Sequence, residues 1–119
     1  MSTNESVTYE RLAKDQQRLC RDFECECVPA DPDSKVGIAL NTTNRLPMNG
    51  LRHAPHGDTS GWYIWGGEGF PSGDDAFSPL HTIHLVNYIP EVIKFLGLPP
   101  GYRFLISGDY VDVWFDASL

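Results

Sequence analysis

Histidine and cysteine side chains are the groups in this sequence best suited to bind a metal ion or to act as nucleophiles. The four histidines form two pairs of equal spacing, His53 with His56 and His81 with His84. This spacing places both side chains on one side of a helical turn, so the second pair could converge on an ion. A zinc site would need a third protein ligand, which Cys25 or Cys27 could supply. Because the first histidine pair lies in an irregular segment and Cys-x-Cys alone is a weak signal, we predict neither a metal site nor a cofactor.

The cysteines give little support to nucleophilic chemistry or to disulfide bonding. Cys20, Cys25 and Cys27 are odd in number and tightly spaced, which favours a reducing compartment. Cys20 lies on the apolar stripe of a predicted helix, where a thiol usually serves as an inert small hydrophobic group. The sequence contains no G-x-S-x-G elbow, phosphate-binding glycine loop or dinucleotide fingerprint. We therefore predict that the protein is not an enzyme.

Residues 61–80, GWYIWGGEGFPSGDDAFSPL, combine a predicted central strand with an acidic loop. The WYIW run is apolar at every position, which is typical of a strand covered on both faces. The following glycines, the proline and the acids Glu68, Asp74 and Asp75 end the strand and predict an exposed loop. Because loops held by a rigid strand often carry function, these three acids are candidate partner-binding residues. The alternative is that the tryptophans only fill the core and the acids are only solvated.

Composition narrows the classes of partner. A chain of 119 residues fits a single domain, residues 1–119, with a core large enough to fold unaided. Its net charge of −7 repels phosphate backbones and attracts basic proteins, so we expect a protein partner and no nucleic acid. No run approaches the roughly 20 apolar residues of a membrane span, and no signal peptide is visible. These features predict a cytoplasmic protein without a membrane partner.

The first half of the chain predicts one helix, one strand and a long connection. Residues 6–24 have helical periodicity, with Ser6 as a cap. Residues 36–40 alternate large with small side chains, which predicts a strand whose small face lies close under a helix. Residues 41–60 contain two prolines and Asn-Gly with little periodicity, so we expect an irregular connection.

The second half predicts two short helices and a hairpin. Residues 79–87 and 90–96 favour helices, the second beginning at Pro90. Two apolar runs, residues 102–107 and 110–115, flank Gly108-Asp109, a two-residue turn typical of a β-hairpin. We thus predict an α+β domain with an antiparallel or mixed sheet of about four strands and helices mainly on one face.

The hairpin register supplies a second group of candidate residues. With a two-residue turn, Ser107 pairs with Tyr110 and Arg103 pairs with Trp114. Arg103, Tyr110 and Trp114 then share the outer face, and we predict that Trp114 is partly exposed with Arg103 stacked on it. Such a cation–π contact contributes about 0.5–1 kcal/mol at an exposed site. The alternative is that a helix covers Trp114.

Three segments in order resemble a known family. GWYIWGGE at residues 61–68, the stretch 81–90 with its Asn and Pro, and LPPGYRF at residues 98–104 resemble the bacterial immunity protein 33-like family, formerly a domain of unknown function. The resemblance covers about residues 36–115. It implies a non-enzymatic module that binds and neutralises a cognate toxin, and it implies no catalytic residues. The alternative function is a small-ligand-binding protein or enzyme that uses the aromatic strand and the nearby histidines.

A chelator test follows from the predicted absence of a structural metal. We expect EDTA to leave the thermal midpoint unchanged, because the chain has enough apolar residues for a core without an ion. Differential scanning calorimetry measures the midpoint, and elemental analysis measures bound zinc. Stoichiometric zinc together with a large loss of stability in EDTA would contradict the prediction.

Overall fold

A computed structural model describes the backbone of residues 2–73 and 75–119, and the side chains of residues 10–73 and 75–119. Within this part of the chain lie one α-helix, α1 (Ser2–Asp22), and three short 3₁₀ helices (Leu40–Thr42, Thr82–Asn87 and Pro90–Phe95). The strands are β1 (Lys35–Ile38), β2 (Met48–Arg52), β3 (Thr59–Gly66), β4 (Ser78–His81), β5 (Tyr102–Ser107) and β6 (Tyr110–Phe115).

The strands form one mixed sheet in the order β4-β1-β3-β2-β5-β6. β1 and β3 run parallel, and every other neighbouring pair runs antiparallel. The predicted α+β class and the hairpin are confirmed, including the bounds of β5 and β6 and the pairing of Arg103 with Trp114. The predicted strand count of about four is wrong, because the described sheet has six strands.

The two strands that the sequence did not reveal carry residues that normally break strands. β2 reads MNGLR, and its Asn-Gly pair is a turn signal within the segment predicted as an irregular connection. β4 reads SPLH and occupies the start of the predicted 79–87 helix, which begins only at Thr82. Pro79 is tolerated there because β4 is an edge strand, where a missing N–H need not interrupt a ladder. Partners distant in sequence, rather than local propensity, make both segments extended.

The helix α1 begins and ends earlier than predicted. It spans Ser2–Asp22 instead of residues 6–24, so Ser6 lies inside the helix and does not cap it. Phe23 follows the last helical residue and is 40% exposed rather than part of the apolar stripe. The buried part of the stripe includes Gln16, whose side-chain amide donates to the Ile93 carbonyl oxygen at 2.9 Å. This hydrogen bond joins α1 to the Pro90–Phe95 helix and satisfies the amide nitrogen, whereas Gln16 Oε1 has no hydrogen-bond partner among the described residues.

The main core lies between the helices and one face of the sheet, which we call the helix face. Trp62 and Phe104 are its largest sheet residues, with ring centroids 5.6 Å apart. Val36 and Ile38 of β1 point to the same core. The small face of β1 lies elsewhere than predicted: a Cβ on Gly37 would come within 2.8 Å of the Tyr63 ring, so an aromatic side chain covers it rather than a helix.

A buried arginine connects four segments of the chain. Arg52, at the end of β2, is 2% exposed, and its guanidinium lies 5.6 Å from the centroid of the Trp62 ring. It donates hydrogen bonds to backbone carbonyl oxygens of Ser60 (3.0 Å), Val28 (2.6 Å) and Leu98 (2.8 Å). A fixed planar fork of donors suits this arrangement, since the carbonyls converge from several directions.

Arg52→Lys should destabilise the fold by about 3 kcal/mol, because an ammonium group cannot replace the fork and would leave buried carbonyls unsatisfied. Urea denaturation should show a lower midpoint with little change in slope. Arg11→Lys on the exposed side of α1 is the control, with an expected change within about 0.5 kcal/mol. Equal stability of Arg52→Lys and the unaltered protein would refute this role.

Candidate protein-binding surface

The face of the sheet opposite the helices, which we call the open face, carries the predicted hairpin candidates Arg103 and Trp114, and Tyr63 of β3. Along one row of cross-strand partners, Tyr63 pairs with Leu51, Leu51 with Arg103, and Arg103 with Trp114. Cross-strand partners point to the same side of a sheet. Tyr63 of β3 and the outer hairpin therefore belong to one face of the sheet, although three strand spacings separate Tyr63 from Trp114.

Two phenylalanines attach the loop of residues 67–77 to the open face. The Phe77 ring packs edge-on against Tyr63 at a centroid distance of 5.3 Å, and Phe70 packs edge-on against Trp65 at 4.9 Å. Phe70 and Phe77 also contact each other at 5.5 Å. Edge-to-face ring pairs add stability beyond the burial of apolar area. No role was predicted for these phenylalanines from the sequence, although two aromatic residues within an otherwise polar loop were the available signal.

The loop and the sheet enclose a pocket of about 380 Å³. Its aromatic walls are Tyr63, Phe70 and Phe77, and His53 closes one side with its ring 5.7 Å from Tyr63. Ring faces attract cations, and a concave apolar site accepts a flat or aliphatic side chain. The other histidines do not line this pocket within the described residues; His81 and His84 contact each other at 5.8 Å on the exposed surface.

The predicted loop acids are close in sequence to the residues that line this pocket. The structure describes two of the three. Glu68 and Asp75 are both exposed, and neither forms an ion pair within residues 10–73 and 75–119. Asp74 lies outside the described residues. The loop thus presents negative charge next to aromatic walls.

The hairpin end of the open face has the predicted cation–π contact. The Arg103 guanidinium lies 5.6 Å from the centroid of the Trp114 ring, and Trp114 is half-buried. The prediction of a partly exposed tryptophan stacked by arginine is confirmed, because the two-residue turn fixes the register. Tyr110 is 59% exposed at the start of β6 and pairs with Ser107. Together these side chains offer aromatic area and one cation at the end of the sheet.

Arg103 is held in place by a carboxylate. Its Nη1 donates to Asp116 Oδ2 at 3.1 Å. The Ser118 hydroxyl donates to the other carboxylate oxygen at 2.6 Å, and the Ser118 amide donates at 3.0 Å. These two bonds from Ser118, followed by that from Arg103, hold the pKa of Asp116 below its ordinary value of 3.8.

Cys20, near the end of α1, forms a small cluster with Cys25 and Cys27, and all three are free thiols. Burial, then the neighbouring Cys27 and Cys25, raise the pKa of Cys20 well above the usual range for a thiol. Burial also raises the pKa of Cys25. Because a thiolate is the nucleophilic form, the raised pKa values disfavour nucleophilic chemistry at Cys20 and Cys25. In the described part of the chain, no group of three His, Cys, Asp or Glu side chains is arranged to hold a metal ion.

A family model relates this chain to known proteins. The family model described as the Imm33-like domain matches residues 15–116, most of the chain. The chain belongs to the Imm33-like family. The match begins at residue 15 and so includes the last eight residues of α1, whereas the resemblance seen in the sequence begins at about residue 36. No curated protein and no solved structure matches the chain. None of the described helices is both long enough and apolar enough to cross a bilayer.

Ser118→Ala should raise the pKa of Asp116 toward 3.8, because it removes the hydroxyl donor that lowers this pKa most. Since the pKa is lower in the folded state, the stabilisation by the ionised carboxylate is present above pH 3.8 and is lost as the pH falls toward the lowered pKa. Carboxyl-carbon NMR titration measures the change, and Ser72→Ala in the exposed loop is the control. An unchanged Asp116 titration curve in Ser118→Ala would contradict the assignment.

Proposed function

We propose that this Imm33-like domain is a non-enzymatic protein-binding module that neutralises a cognate toxin domain by binding it. Membership of the Imm33-like family is the observation that carries the proposal. The open face supplies the surface, because it combines exposed acids, an aromatic pocket and a half-buried tryptophan. Aromatic anchors surrounded by charged residues are typical of protein interfaces.

The charge distribution supports a basic partner. The chain carries a net charge of −7. Two of its cations are already engaged on the sheet, Lys35 with Asp58 at 2.9 Å and Arg103 with Asp116 at 3.1 Å. Glu68 and Asp75 are exposed, and together with Asp74 they place three acids in the loop sequence. Such a surface accelerates the diffusional encounter with a positively charged domain.

We assign different roles in binding to different parts of the open face. The acids Glu68, Asp74 and Asp75 steer the toxin, and the aromatic pocket beside them accepts a lysine or arginine side chain by cation–π contact. Arg103, Tyr110 and Trp114 form the second contact region at the hairpin end. We assign the protein to the cytoplasm of the cell that it protects, and its free thiols support a reducing compartment.

The pocket on the open face also favours a second candidate function. A cavity of about 380 Å³ with His53 and three aromatic walls is large enough to bind a small aromatic or cationic ligand. Fragment screening by protein NMR distinguishes this alternative. Shifts confined to His53, Tyr63, Phe70 and Phe77, with a saturable fragment and no toxin complex, would favour the small-ligand function.

Co-expression with a neighbouring toxin tests the proposed function. The C-terminal domain encoded by the adjacent large toxin-like gene is expressed in a bacterial host with and without this protein. We expect growth to be restored, a 1:1 complex to be purified, and the toxin to be recovered with unaltered mass. Failure to form a complex or to restore growth would refute the proposal, and a covalently altered toxin would refute the non-enzymatic mechanism.

Neutralising the loop acids should slow association with that toxin domain. The variant Glu68→Gln, Asp74→Asn, Asp75→Asn should associate more slowly and with a weaker dependence on salt, because exposed rim charges act mainly on the association rate. Its thermal midpoint should stay nearly unchanged, since exposed charges contribute little to stability. Stopped-flow fluorescence at several salt concentrations provides the measurement.

A matched variant separates the loop from the overall charge. Glu10→Gln, Asp22→Asn, Glu26→Gln changes the net charge equally at exposed positions away from the loop. If this control slows association as much as the loop variant, the total charge alone steers the partner. If the loop variant associates at the original rate with the original salt response, its acids are only solvated surface.

A further inference from the structure

The strand β6 is an edge of the sheet with few of the features that usually protect such an edge. β5 is its one neighbour in the described sheet. The opposite edge strand, β4, has four residues and contains Pro79. β6 has six residues, YVDVWF, with no proline and no lysine, and its pairing with β5 shows no bulge. Because proteins commonly block free edges with such devices, an unblocked edge indicates a place where another strand can pair.

The orientation of the backbone groups of β6 follows from one hydrogen bond. The Asp116 amide donates to the Gly101 carbonyl oxygen at 2.7 Å, which continues the ladder between β5 and β6. In an antiparallel ladder, residues alternate between bonding to the neighbouring strand and pointing away from it. Trp114, Asp112 and Tyr110 are therefore in the bonded set with Asp116. The N–H and C=O groups of the intervening residues point out of the edge, at Val111, Val113 and Phe115.

The two faces of β6 differ in chemistry. On the helix face, Val111 is 42% exposed and Phe115 is 60% exposed, with Val113 half-buried between them. On the open face, Asp112 is exposed next to Trp114 and Tyr110. A strand added to this edge would thus meet apolar side chains on one face and a carboxylate on the other. An alternation of apolar and basic residues suits both.

A second cavity lies where such a strand would place its side chains on the helix face. It has a volume of about 290 Å³ and is lined by apolar side chains, with one acid and one base, Glu91 and Lys94. Val111 lines it together with Ile106, Met48 and Phe95. A residue paired with Val111 from an added strand would project its side chain toward this cavity. The free edge and the cavity are independent observations that point to the same ligand.

We propose that β6 captures an extended segment of the toxin as an additional strand of the sheet, with apolar residues on the helix face and a lysine or arginine beside Asp112. This inference rests on the proposed function and specifies its binding mode. Charge selects the occupant: Asp112 and the net charge of −7 attract a basic segment, whereas a second copy of this chain carries the same negative charge. Main-chain hydrogen bonds supply affinity, and the cavity and Asp112 supply specificity.

Amide hydrogen exchange in the complex with the toxin domain tests the proposal directly. We expect the amides of Val111, Val113 and Phe115 to exchange at least tenfold more slowly in the complex than in the free domain. The amides of Tyr110, Asp112 and Trp114 should change much less, because β5 already protects them. Unchanged exchange at the three outward amides would overturn the proposal. Protection that rises with the concentration of the free domain would assign the edge to a second copy and would also overturn it.

A proline substitution provides a matched binding test. Val113→Pro removes an outward N–H without removing a hydrogen bond to β5, and edge strands tolerate proline in this orientation. We expect the dissociation constant to rise at least tenfold, whereas Val113→Thr, which keeps the amide, should stay within about twofold. Asp112→Lys should also weaken binding and serves as the test if the proline variant does not fold. Unchanged affinity in the folded edge variants would overturn the proposal.

The outcomes separate the two proposals. If the unaltered protein does not bind the toxin, both fail. Suppose that it binds and that the loop variant associates more slowly. If the outward amides of β6 then exchange as fast as in the free domain, and the edge variants bind with unchanged affinity, only strand capture fails. If the edge variants lose affinity and the loop variant does not, the strand is the interface and the acidic loop is not.

Discussion

The structure depends on one buried cation that ties several backbone segments together. Arg52 leaves β2 into the interior, lies over the Trp62 ring and donates to carbonyl oxygens before β1, at the start of β3 and beyond the last 3₁₀ helix. Buried carbonyls are costly when they lack a donor, so the guanidinium satisfies groups that irregular segments would otherwise leave exposed to an apolar core. The buried guanidinium of Arg52 needs these carbonyl oxygens as acceptors, and the carbonyl oxygens need the guanidinium as a donor. Neither could be buried without the other. The sheet is fixed in relation to the helices at this point.

Local signals were enough for some elements and not for others. The hairpin of β5 and β6 could be predicted with its register because a two-residue turn sets every pairing that follows. β2 and β4 could not be predicted, because each contains a strand breaker and becomes extended only through pairing with strands distant in sequence. The burial of Arg52 and its hydrogen bonds could not be predicted from the sequence either. A single arginine after a leucine in an irregular segment is usually a surface residue.

The same distinction holds for the candidate surface. The contact of Arg103 with Trp114 followed from register alone, and the exposure of Glu68 and Asp75 followed from loop composition. That the loop and the outer hairpin share one face did not follow, because this depends on β2 lying between β3 and β5. The pocket of Tyr63, Phe70 and Phe77 was missed for a related reason. Aromatic residues in a loop do not reveal which strand they cover.

The attachment of the loop has a consequence for how such a domain acquires new partners. Phe70 and Phe77 pack against Trp65 and Tyr63, and the described residues between the two phenylalanines line the pocket or lie exposed. Substitutions between these anchors alter the shape and charge of the pocket without changing a strand, a core contact or the Arg52 hydrogen bonds. Mutations in this loop can therefore change which partner is bound without changing the stability of the fold. A lineage can exchange one antagonist for another through this loop while the scaffold stays under constant selection to fold.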